Sequence, residues 1–233
     1  MADPTVIAVD WSGAKKIGPK SGIWVAVIRD GRLVRTQAVS SRERAVALVH
    51  ACASPVIAGF DFSFGFPEWF ARERDCATIA DVWATAEREG EAWLSPTPPF
   101  WRERCEVPVE QRFRRCETTL KPAKSIFQLV GNGQVGAGSV RGMPHLARLH
   151  AAGFAIWPFD RATDRTVMEI YPSALRKLAP RHDVGPFTNE HERDAVVSAR
   201  VMWQYRETLT TLEATTDPVT RIEGDVWMPS SLP

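Results

Sequence analysis

The sequence predicts an α/β fold built on a mixed sheet, an antiparallel meander followed by parallel strands, with helices flanking it. Three observations point there. An apolar β-branched run at residues 5–9 (TVIAV) stops at Asp10, as a buried strand does; two further apolar runs flank Asp30-Gly31; and helically spaced apolar residues lead into a second buried run, VIAGF, that stops at Asp61.

The elements follow in order. Strand one is residues 5–9, followed by the loop residues WSGAKKIGPKSG. Ile23 to Ile28 and Leu33 to Val39 make a hairpin, because Asp-Gly tolerates the positive φ of a tight turn. From Ser41, the spacing of Ala45, Leu48, Val49 and Cys52 is helical, a crossover into strand four at 56–60. Residues 66–120 read as an insertion, with an amphipathic piece at 78–89 and a charged stretch after it. Across 102–124, seven basic side chains stand against four acidic ones, the composition of a solvated helical face. A strand at 125–130, a glycine-rich loop, a helix from Pro144 to Ala152, a strand at 154–158, the strand VMEIYP at 167–172 and a short helix from Ser173 complete the middle. Asn189 and Glu192 have the spacing of a capping box, so the last long helix starts near Asn189 and runs to about Leu212. The tail from Thr215 is punctuated by proline and reads as extended.

At 233 residues the chain suits one domain, 1–233, with the 66–120 insertion inside it. Basic and acidic side chains number 29 and 28, so no overall field gathers a polyanion, and nucleic acid would need a local patch. No apolar run approaches the roughly 18 residues of a membrane span, and the first residues lack the features of a signal peptide. The expectation is a cytoplasmic protein without membrane association. Cys52, Cys76, Cys105 and Cys116 form no CxxC pair and have no histidine at zinc spacing, which suits reduced thiols. Oligomeric state is not legible.

The chemistry concentrates in carboxylates. Asp10 and Asp61 each follow a buried strand, and in open α/β sheets ligands gather at the carboxyl ends of strands. If strands one and four are parallel neighbours, about 4.8 Å apart, the two face each other and either share a proton or bind a cation. A helix cap or turn residue is the alternative for each aspartate alone. Glu169 lies inside an apolar run, where burial is costly without a partner, although an edge strand would leave it in water. Glu190, His191 and Asp194 share one face of the last helix, and Ala195 and Ala199 allow that helix close to a sheet.

The segments VIAVDWSG, VIAGFDFSFGFP, KSIFQLVGNGQVGAGSVRGMPHL, EIYPSAL and HERDA together resemble the ribonuclease H-like superfamily. More narrowly, they resemble the bacterial family described as predicted nucleases of that fold, domain of unknown function 429, over most of the chain. In the superfamily, acidic residues from strand one, strand four and a late helix hold two divalent metals for phosphodiester hydrolysis. The resemblance therefore implies a magnesium- or manganese-dependent nuclease acting on nucleic acid. It makes Asp10, Asp61 and Asp194 catalytic metal ligands, with Glu169 as a fourth. Two metals about 3.5–4 Å apart suit in-line displacement. His191 resembles a histidine near the last aspartate of junction-resolving relatives, although a surface histidine reads the same way. Lys124, Ser125, Gln128 and Arg141 flank the glycine-rich segment and, with His191, are candidates to hold substrate phosphates.

Three rival readings stay open. Gly131, Gly133 and Gly136 match a dinucleotide fingerprint after the strand at 125–130, but the acidic residue belongs about 20 residues on and Asp160 comes later. An actin-like phosphotransferase needs two such domains. A catalytically silent adaptor would keep the fold to bind nucleic acid or protein.

Overall fold

The computed structural model describes residues 2–18, 22–95, 97–103, 105–120, 123–130, 134–178 and 180–229. Its strands are β1 (Thr5–Asp10), β2 (Ile23–Arg29), β3 (Arg32–Val39), β4 (Val56–Phe60), β5 (Ala155–Ile156) and β6 (Arg165–Glu169). They form one mixed sheet in the order β3-β2-β1-β4-β6-β5. The β1, β2 and β3 pairings are antiparallel, and those of β1 with β4, β4 with β6 and β6 with β5 are parallel. This is the expected meander followed by parallel strands. Asp30 and Gly31 both take positive φ, the backbone that a tight hairpin requires.

The helices are α1 (Arg42–His50), α2 (Glu68–Arg72), α3 (Ile79–Trp93), α4 (Arg115–Thr119), α5 (Val135–Ala151), α6 (Pro172–Leu178), α7 (Glu190–Gln204), α8 (Arg206–Leu209) and α9 (Thr220–Glu223). Strand alternation sends side chains to two cores. Ile7, Val9, Val56, Ala58, Phe60 and Val167 meet the apolar faces of α1, α3 and α5 on one side. Val6, Ala8, Ile57, Met168 and Ile170 meet α7 on the other. A Cβ on Gly59 would stand 2.7 Å from both Ile170 Cγ2 and Met202 Sδ, so only glycine lets α7 rest this close on β4. None of the described helices is long and apolar enough to cross a membrane. The four cysteines are unpaired.

Several elements depart from the expected ones. Residues 125–130 turn and make a single bridge, Gln128 to Trp101, in place of a strand. The dinucleotide reading thereby loses the strand its fingerprint needs, and Gly131 and Gly133 lie outside the described residues. The helix expected from Pro144 begins at Val135. Its glycines lower intrinsic helicity, but they permit close packing: a Cβ on Gly142 would fall 2.5 Å from Phe62 Cε2. The strand expected at 154–158 shrinks to two residues, because the Phe159 N–H turns back to the Ile156 carbonyl. The last helix stops at Gln204, and after Tyr205 a new turn, α8, begins; Arg206 there pairs with Asp3 at 2.8 Å. The tail is extended only in part. It forms α9, and then Val226 bridges to Glu169 beside the sheet.

The charged stretch at 102–124 is solvated only in part and forms no long helix: Arg102, Glu103, Glu106, Glu110 and Arg115 are exposed, whereas Arg114 and Glu117 are buried. Arg114 is 1% exposed and forms the centre of a buried ion network with Glu117 and Glu169. Arg104 and Lys121 lie outside the described residues.

One buried base sets an acid response. His145 packs edge-on to Trp11, and burial, with help from Arg148, pushes its pKa from 6.5 down to about 4. The folded state thus keeps the ring neutral while the unfolded chain protonates it below 6.5. Its contribution is complete above pH 6.5 and is lost as pH falls towards 4. That difference is on the order of 3 kcal/mol. Denaturant titrations of wild type and His145→Gln should show the stability gap between them narrowing by about that amount from pH 7.5 to pH 4. A gap that stays constant would show that His145 is not held neutral.

Candidate functional site

The carboxyl ends of β1 and β4 lie side by side, since Val9 and Phe60 are register partners and the Asp61 N–H donates to the Val9 carbonyl at 3.1 Å. Alternation along β1 puts Val6 and Ala8 against α7, and Asp10 continues that series. Ile57 and Gly59 face the same way on β4, and Asp61 follows them. On α7 the Asn189 side chain accepts from the Glu192 N–H, which starts the helix where expected. The Glu192 carboxylate does not close a capping box; it accepts from the Thr188 N–H and hydroxyl instead. His191 and Asp194, one turn apart, then hang over the strand ends.

The contacts are specific. His191 Nδ1 lies 2.8 Å from Asp10 Oδ2. Burial raises the pKa of Asp10, and His191 and Arg176 pull it back; the same 2.8 Å contact raises that of His191. Asp194 Oδ1 lies 3.1 Å from Arg176 Nε, yet this atom is buried and has no aligned hydrogen bond. Burial, against the pull of Arg176, pushes the Asp194 carboxyl up to about 6. Asp61 is the most strained of the three. Burial comes first, and then the like charges of Asp10, Asp194 and Glu169 hold its carboxyl far above the usual range, with Lys124 opposing them.

Glu169 is set apart from this group. Its register partner is Phe60, so its side chain shares the opposite face with Val167. There its Oε1 and Oε2 accept a fork from Arg114 at 2.5 and 2.8 Å, and Oε2 also accepts from the Phe64 N–H at 2.9 Å. A carboxylate so fully engaged has the Arg114 guanidinium in the place a metal ion would take. Among the described residues, no three His, Cys, Asp or Glu side chains converge tightly enough to hold a metal ion.

Of the residues expected to hold phosphates, His191 and Lys124 adjoin the carboxylates. The other three serve their own surroundings. The Ser125 hydroxyl donates to the Arg112 carbonyl at 2.5 Å, and Gln128 Nε2 donates to the Val130 carbonyl at 2.9 Å. Arg141 forks onto Glu91 at 2.6 and 3.0 Å and donates to the Gly13 carbonyl. Sequence reasoning missed Arg176 and Tyr171. Arg176 opposes both Asp10 and Asp194, and the Tyr171 phenol is raised first by burial and then by the nearby charge of Asp61. Both belong to the segment from Glu169 to Arg176, where a basic residue two turns after a strand end was the available signal.

No family model, curated protein or solved structure matches the chain.

Proposed function

We propose that this chain is a cytoplasmic, divalent-metal-dependent nuclease of ribonuclease H-like fold, hydrolysing phosphodiester bonds of nucleic acid at the paired ends of β1 and β4. The observation that carries the reading is the gathering of three carboxylates on one face. Asp10, Asp61 and Asp194 come from two adjacent parallel strands and one helix, and burial raises all three. Asp194 Oδ1 is also buried without a hydrogen bond.

Hard oxygen donors fit magnesium or manganese in type; Asp10, Asp61 and Asp194 do not converge tightly enough as they stand, so they would have to draw together to hold the ion. Bound there, it would supply charge neutralisation and a more acidic water. Glu169 is outside the proposed ligand set because Arg114 already matches its charge. His191 keeps Asp10 in place and, being half-exposed, can also face a substrate phosphate together with Lys124. The purified chain, tested on DNA and RNA of single-stranded, duplex and branched form with magnesium or manganese, should cleave at least one of them. Activity that persists in excess chelator would overturn the reading. Loss of outer-sphere partners already costs 10–100-fold, so Asp10→Asn should lower turnover by about a hundredfold or more.

A second reading is the catalytically silent adaptor. The pairings of Asp10 with His191 and of Asp194 with Arg176 favour it, since carboxylates already neutralised need no ion. It is the better reading if nucleic acid binds while manganese produces neither cleavage nor stabilisation.

A further inference from the structure

Around the ends of β1 and β4, the carboxylates of Asp10, Asp61 and Asp194 face three basic side chains, Arg176, Lys124 and His191. His191 can shed its charge by losing a proton, whereas a guanidinium cannot. Arg176 is thus a permanent cation, and it acts on two of the carboxylates, Asp194 by contact and Asp10 through space. It stands in the last turn of α6, which packs on α7, and it reaches Asp194 from that neighbouring helix.

The way Arg176 holds its carboxylate differs from that of other arginines in the chain. Arg114 forks onto both oxygens of Glu169 at 2.5 and 2.8 Å, Arg141 forks onto Glu91 at 2.6 and 3.0 Å, and Arg193 forks onto Asp183. Arg176 instead places Nε 3.1 Å from Asp194 Oδ1, and that oxygen has no aligned hydrogen bond. The two-point fork is the strong form of this pairing. A misaligned contact leaves charge attraction as its main term. Both side chains also keep a way to water, since Arg176 is 24% and Asp194 18% exposed.

We propose that Arg176 is a displaceable counter-cation, which neutralises Asp194 and Asp10 and must leave Asp194 before these carboxylates can take a divalent ion. The inference rests on the metal-dependent reading and adds a regulatory contact to it: a side chain of the protein itself limits how tightly the ion binds. Charge favours the exchange, because a dication brings twice the charge of a guanidinium to the same oxygens. Position agrees with it. The contact ties Asp194 Oδ1 to α6, and Asp10, Asp61 and Asp194 do not converge tightly enough to hold an ion while it lasts. The competing explanation is a plain tie between α6 and α7, in which the charge of Arg176 has no bearing on metal.

The test is calorimetric titration of the full chain with manganese alone, for wild type, Arg176→Gln and Arg176→Lys. Glutamine keeps a donor for Asp194 without the charge, and lysine keeps the charge without the planar group. Arg176→Gln should bind manganese at least about fivefold more tightly than wild type, the factor that one partly exposed ion pair can supply. Arg176→Lys should stay within about twofold of wild type, because the competing charge is retained. Equal affinities in wild type and Arg176→Gln, with melting temperatures lowered alike with and without manganese, would show a helix tie and overturn the proposal while leaving the metal reading intact. Manganese binding by neither protein would remove both.

Discussion

Arg114→Met should lower the melting temperature by about 6–20 °C, the largest stability effect expected of one substitution in this chain. Removing one partner of a buried ion pair costs about 3–5 kcal/mol, and for a chain of this size each kcal/mol moves the midpoint by about 2–4 °C. The guanidinium donates to both oxygens of Glu169, to Glu117 at 2.9 Å and to the Glu223 carbonyl at 2.9 Å. Its loss strands two buried carboxylates at once. The loss should be greatest at neutral pH and should shrink in acid, where the Glu169 carboxyl, raised by burial, is protonated without it. Adding Glu117→Gln and Glu169→Gln to Arg114→Met should recover much of the deficit, since the neutral set no longer needs a cation. A single variant melting within about 2 °C of wild type would show that the network does not tie the insertion to β6 and α9.

Asp61→Asn should separate two responses that wild type combines. Without metal, the variant should melt above wild type at neutral pH, because the amide removes a charge disfavoured by burial and by three neighbouring carboxylates. The sign of the pH dependence follows from the raised carboxyl. Its contribution to stability is complete below the ordinary value of 3.8 and is lost as pH rises, so the advantage of the variant should vanish in acid. With manganese at about 100 times its dissociation constant, wild type should gain about 2.7 kcal/mol, or roughly 5–11 °C. The variant should gain little and should not cleave. Thermal melts with and without manganese read both halves. An intact manganese increment in Asp61→Asn would remove Asp61 from the site, and no increment in wild type would favour the adaptor.

Local pattern made some of this legible. β1, the hairpin at Asp30-Gly31, β4 and the start of α7 all follow from apolar runs, a turn pair and a cap, each written within a few consecutive residues. The adjacency of Asp10 and Asp61 followed from a helical crossover between parallel strands. The substrate-holding set was less legible, because Ser125, Gln128 and Arg141 were chosen for their polarity near glycines. Their partners, the carbonyls of Arg112, Val130 and Gly13 with the Glu91 carboxylate, are carried mostly by other segments of the chain.

By itself, then, the sequence determined the β1–β3 meander and the strand-end placement of two aspartates, because apolar period, turn chemistry and caps act over a few residues, while the pairing of β1 with β4 was a condition that the structure met. Only the tertiary structure decided the rest. Alternation in β6 groups Glu169 with Val167 and against Met168, but which of those faces looks towards Asp10 depends on register with β4. Arg114 becomes the partner of Glu169 from 55 positions away, and Gly142 of α5 is placed against the Phe62 ring, where a Cβ would fall 2.5 Å from Cε2. Those outcomes come from long-range packing, in which a charge or a missing side chain acquires its role only from the surface brought against it.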